Sequence, residues 1–173
     1  MSEGSDRGPA EFYLAPYDVV RLYGDDGTLA TNGVAAKLLT ELSTKVKAQK
    51  QLIILDACQS AGALEAFATR GAAEEKAIFQ LARSAGVVVL AATGQDQVAT
   101  EFDKLGHGVF TFAVLQAIRG EADGGSSPDG KITAAEIVAY INDRVPELTK
   151  EHRGRVQYPN SYVRGQDFPI SVK

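Results

Sequence analysis

The sequence predicts an α/β fold, a mostly parallel sheet with helices on both faces, and three observations carry that expectation. Two aliphatic runs, "QLIILDA" (51–57) and "VVVLAAT" (87–93), have the length and unbroken apolar character of strands buried on both faces. Segments with the 3.6-residue period of amphipathic helices lie before, between and after them. No internal repeat or linker divides the 173 residues, and 45% hydrophobic content suits a single domain with a real core.

Taken in order, "EFYLAPYDVV" (11–20) is extended and contains Pro16, which cannot donate to a ladder, so it reads as a strand or edge hairpin running into a loop. "GDDGTLATNG" (24–33) is turn chemistry. From Asn32 to Lys50, Val34, Leu38, Leu39, Leu42 and Val46 form the stripe of an amphipathic helix with lysines on its outer face. The first buried strand follows, then a small-residue loop through "TRGAAEE" (69–75). A helix over "EEKAIFQLARSAG" ends at Gly86, read as its C-cap, and leads into the second buried strand. "GVFTFAVLQAIRG" (108–120) and "TAAEIVAYINDRV" (133–145) are two further helices, and the tail "VQYPNSYVRGQDFPISV" is irregular with one late strand.

Charge and cysteine usage narrow the function classes. A net charge of −4 and a pI near 5.2 give no general attraction to nucleic acid or to an anionic membrane surface, and mildly favour basic partners. The single cysteine cannot form an internal disulfide and fits a reducing compartment. No stretch is long and apolar enough to span a bilayer, and "MSEGSDRGPA" has no hydrophobic signal core, so the expected location is the cytoplasm.

The one cysteine, Cys58, stands just beyond an apolar run and two residues after Asp56. Functional groups of parallel α/β sheets gather at the carboxyl ends of strands, and both residues fall at such an end. A free cysteine is most often a small buried hydrophobe; its place in a small, polar loop beside an acid makes a nucleophilic role an equal alternative.

"LIILDACQSAG" resembles the nucleophile strand of the caspase-like cysteine peptidases, in particular the bacterial metacaspase and orthocaspase branch. "VVVLAATGQDQVATE" (87–101), "GHGVFTFAVLQAIRGEAD" (106–123), "DGKITAAEIVAYINDRVPEL", "QYPN" and "DFPI" are similar to later segments of that family, and "FYLAPYD" (12–18) to the segment after its catalytic-histidine loop. The resemblance implies that Cys58 is the nucleophile, attacking the scissile carbonyl to give a thioester that water hydrolyses, with its own backbone N–H helping to hold the oxyanion. It implies that Asp56 lies in the primary specificity pocket and selects arginine or lysine. Ser60, Asp96 and Gln97 would border the cleft as substrate-binding residues. Arg70, in the loop after the nucleophile, would be a self-processing site, with Lys76 second.

The family's proton-transferring histidine precedes the nucleophile, whereas the two histidines here, His107 and His152, both follow it. His107 is read as a structural residue at the start of a helix. The resemblance therefore implies a partial domain, residues 1–173, whose catalytic histidine belongs to an upstream segment and whose first sheet strands are missing, which leaves the strand at 51–57 without a partner on one side. The N-terminal half of the same domain is then a partner, together with peptide substrates bearing a basic residue. The chain alone is expected to be inactive. No cofactor or metal site is assigned. The family is often calcium-activated, but "GGSSPDGKITAAE" (124–136) lacks two of the carboxylates of a calcium loop, and its Thr133 and Glu136 form a capping box instead. Two other classes stand beside the peptidase: a caspase-like pseudo-enzyme acting as an interaction module, and a Rossmann-like ligand-binding domain. The second is disfavoured because no strand runs into a phosphate-cradling glycine loop.

Overall fold

The computed structural model describes residues 13–16, 31–57, 86–92, 101–102, 107–124, 128–153 and 156–172. In chain order, β1 (Tyr13–Leu14) pairs antiparallel with β2 (Val34–Ala35), and α1 (Ala36–Lys45) leads to β3 (Lys50–Leu55) and β4 (Gly86–Ala91). The short strands β5 (Glu101–Phe102) and β6 (His107–Gly108) pair antiparallel ahead of α2 (Val109–Gln116). That helix widens into a π-type turn over Ala117–Glu121, kinked within it at Gly120, whose φ of 118 favours glycine. β7 (Lys131–Thr133) precedes α3 (Ala134–Arg153), and β8 (Asn160–Gly165) and β9 (Pro169–Val172) follow it.

The principal sheet has the order β3-β4-β8, with β3 parallel and β8 antiparallel to the central strand. β4, "GVVVLA", is buried along nearly its whole length, as its β-branched run predicts. Val88 and Leu90 on one face meet Val109, Phe110, Ala113 and Val114 of α2 and Ile137, Ile141, Val145 and Leu148 of α3 in one apolar cluster. Burying each large side chain of this kind stabilises the fold by about 1.5–3 kcal/mol. The fold class is therefore the expected α/β, with an antiparallel strand where the tail was read as largely irregular.

Four expectations are corrected. β3 is only half-buried, with Ile54 exposed, because β4 is its one ladder partner among the described residues. The helix expected over 32–50 is confined to Ala36–Lys45, and its buried residues are Ala36 and Thr40. Three residues of the expected apolar stripe face outward, Leu38, Leu42 and Val46 being exposed by 43, 47 and 52%, while Val34 and Leu39 are half-buried. The helix expected to stop at Val145 continues to Arg153 through Pro146, because Leu148 and Thr149 beyond the proline are buried. Gly86 is the first residue of β4 rather than a helix cap, and its N–H donates to the Gln49 carbonyl at 2.9 Å. The helix expected over 74–86 otherwise lies outside the described residues.

The amino end of α3 is fully capped. The Ala134 N–H donates to the Phe168 carbonyl and the Ala135 N–H to Asp167 Oδ1, both at 2.9 Å. The expected capping box is formed: the Thr133 N–H donates to Glu136 Oε2 at 2.8 Å and the Glu136 N–H to Thr133 Oγ1 at 3.3 Å. Upstream, the two carboxylate oxygens of Asp123 accept the N–H groups of Asp129 and Gly130 at 3.1 Å.

Candidate functional site

Parallel pairing brings the carboxyl ends of β3 and β4 together: Leu55 lies opposite Ala91, and the Ala92 N–H extends the ladder by donating to the Leu55 carbonyl at 2.9 Å. The chain leaves β3 at this end through Asp56 and Ala57, so a side chain placed here emerges at the rim of the sheet.

Asp56 is exposed, and its Oδ2 accepts a hydrogen bond from Thr111 Oγ1 at 2.5 Å. Thr111 is the third residue of α2, so this bond fixes the first turn of the helix against the end of β3. Among the described residues Oδ1 of Asp56 has no hydrogen-bond partner.

The end of β4 is closed from another direction by Gln157. Its buried side-chain amide donates to the Ala92 carbonyl at 2.8 Å, and its backbone N–H donates to Thr149 Oγ1 at 3.0 Å. Thr149 in turn donates to the Val145 carbonyl at 2.8 Å. The carboxyl end of α3, the segment leading to β8 and the end of β4 are thus tied into one network. Exposed Tyr158 follows, and Asn160 pairs with Ala91.

Of the sequence-predicted site residues, the described structure places Asp56 alone. Cys58, Ser60, Arg70, Asp96 and Gln97 lie outside the described residues. His107 is in β6, immediately before the glycine that precedes α2, in keeping with its reading as a residue at the start of that helix. Thr111 and Gln157 were missed. The signal for Thr111 was present, since it is the one hydroxyl in the otherwise apolar run "VFTFAVL". Gln157 carried no signal, because only the fold brings residues 92, 149 and 157 together.

Among the described residues no group of three or more His, Cys, Asp or Glu side chains could hold a metal ion, and no helix is long and apolar enough to cross a membrane. The displaced titrations lie toward the other end of α2, where Tyr140 and Arg144 both reach Gln116 Oε1. Burial raises the Tyr140 phenol above its ordinary range, against the lowering effect of the Arg144 charge. Arg144 is held still more firmly protonated by Glu147, 2.6 Å away.

A family model described as "Caspase domain" matches residues 9–167, nearly the whole chain. No curated protein and no solved structure gives a match.

Proposed function

Because the chain belongs to the caspase-domain family of cysteine peptidases, we propose that it is an endopeptidase that cleaves after arginine or lysine, with Cys58 as nucleophile and Asp56 as the carboxylate of the substrate pocket. The observation that carries the specificity is the exposed Asp56 carboxylate at the end of β3, whose one hydrogen bond among the described residues is to Thr111. Cys58 is two residues further on in the sequence.

In this reading the Cys58 thiolate attacks the scissile carbonyl, the oxyanion is held by backbone N–H groups, and the amine leaves with a proton from an imidazole. Water then enters, gives a proton to the same imidazole and releases the acyl group from sulfur. In this reading the imidazole is that of the family's upstream His-Gly pair, supplied by a segment other than residues 1–173. This chain offers that N-terminal half three candidate contacts: the edge of β3 that is unpaired among the described residues, exposed Ile54, and the exposed Leu38 and Leu42 of α1. The predicted cytoplasmic location, with its reducing conditions, would keep the thiol free. Arg70, followed by Gly71 and two alanines, is the bond such an enzyme would cut in itself.

The test is a complementation assay. The 173-residue chain alone should show no turnover of basic fluorogenic peptides, and activity should appear when the N-terminal half is added. In that complex Asp56→Asn should lower cleavage after arginine by about 100-fold, as expected for loss of a charge-assisted hydrogen-bonded pair. Alkylation of Cys58 by a small reagent should change by less than about twofold. Equal losses of both would mean that Asp56 only supports the strand end. Mass spectrometry of the active complex should show a new terminus at Gly71, absent with Cys58→Ala. An intact loop in an active enzyme would remove Arg70 from the mechanism. Absence of any turnover in a complex that does form would favour an interaction module.

A further inference from the structure

The hydrogen bond between Thr111 and Asp56 joins residues 55 positions apart, and both of its ends are anchored. Asp56 follows a strand whose register with β4 is set residue by residue, and Thr111 lies in a helical turn whose neighbours Val109, Phe110, Ala113 and Val114 are buried. A threonine further along a helix commonly turns its hydroxyl back to the carbonyl four residues earlier. Thr111 is too close to the start of α2 for that, since the residue four positions before it, His107, belongs to β6. Its hydroxyl goes to the carboxylate instead.

From this geometry we propose that Thr111 is a positioning residue that makes the site prefer a guanidinium to an ammonium side chain. The proposal rests on the reading of Asp56 as the carboxylate of the substrate pocket and adds what determines its choice between the two basic residues. An exposed aspartate rotates broadly about its last torsion. A planar guanidinium gains a second, parallel hydrogen bond only when the carboxylate plane is held in one orientation, whereas an ammonium is a point charge that any orientation serves. Thr111 occupies one of the roughly four lone-pair positions of the carboxylate and fixes its plane. Oδ1 and the remaining side of Oδ2, which accept no other bond among the described residues, then form a preset two-oxygen edge.

The experiment needs no catalysis. The full 173-residue chain is titrated with the N-acetyl methylamides of arginine, lysine and citrulline, and binding is read from amide chemical shifts. The wild-type chain should bind the arginine amide about tenfold tighter than the lysine amide, and the uncharged citrulline amide not at all. Thr111→Val, which keeps the shape and removes the donor, should weaken the arginine amide about tenfold and the lysine amide by less than about twofold. Thr111→Ser should restore the preference. If the valine variant does not fold, Thr111→Ala is measured in its place. Equal weakening of both ligands without rescue by serine would show a mere structural tie and overturn the proposal, as would unchanged binding in the valine variant. Asp56→Asn separates the two readings. If it abolishes binding while Thr111→Val has no effect, only the role of Thr111 falls. If it binds as the wild type does, or if the wild type binds neither cation, the pocket role of Asp56 falls and that of Thr111 with it.

Discussion

Gly86 shows how one position can fix the packing of the central strand. A methyl group there would press on the Gln166 carbonyl oxygen and lie 2.9 Å from Cδ1 of Phe168, a ring that is itself buried in the core. The backbone oxygen cannot yield as the end of a flexible side chain would, so the strand and the segment before β9 must separate. Gly86→Ala should therefore destabilise the protein by about 3 kcal/mol, read as a lower denaturation midpoint with an unchanged slope. The sequence offered this glycine as a helix terminator, since a glycine between helical and apolar segments ordinarily has that use. The requirement is tertiary instead, set by Phe168 more than eighty residues away in the chain, and no local pattern encodes such an approach. Asp56 was legible for the opposite reason: an acid at the end of an aliphatic run stands out against its neighbours. Its partner Thr111 was visible as a hydroxyl among apolar residues but had nothing in the sequence to point it at Asp56.

At the scale of elements, α3 and α1 show where periodicity informs and where it misleads. Ile137, Ile141, Val145 and Leu148 keep a helical spacing across Pro146, and their burial outweighs the hydrogen bond that proline removes. The stripe was legible; its continuation was not, because the proline is a stop signal unless later residues are known to be buried. Thr149 completes the anchorage by accepting the backbone N–H of buried Gln157. Thr149→Val would keep the volume and strand that donor, at about 2 kcal/mol in urea unfolding, and the Gln157 amide should exchange with solvent faster than in Thr149→Ser. For α1 the amphipathic period was read correctly and its direction was not. Periodicity reports that a face is apolar, and only the fold reports whether anything lies against it.

At the scale of the whole molecule, the outward stripe of α1 is the feature most unlike an ordinary core helix. Leu38, Leu42 and Val46 would each contribute about 1.5–3 kcal/mol if covered, and they lie among exposed Lys37, Lys45 and Lys47. If the N-terminal half of the domain covers them, Leu42→Lys should leave the unfolding midpoint of the lone chain within about 0.5 kcal/mol of wild type. It should also weaken complementation at least about tenfold in a titration of that half. Equal complementation by the variant would place the contact elsewhere. The order of the principal sheet carries a consequence in time. β4 obtains its second ladder from β8, whose residues follow it by roughly seventy positions, so the pairing is the least local ladder among the described residues. At about 5–20 residues per second a ribosome needs several seconds to supply that strand. During that interval one edge of the run "GVVVLA" has no β8 to close it, and the nascent chain is then most exposed to pairing with a neighbour.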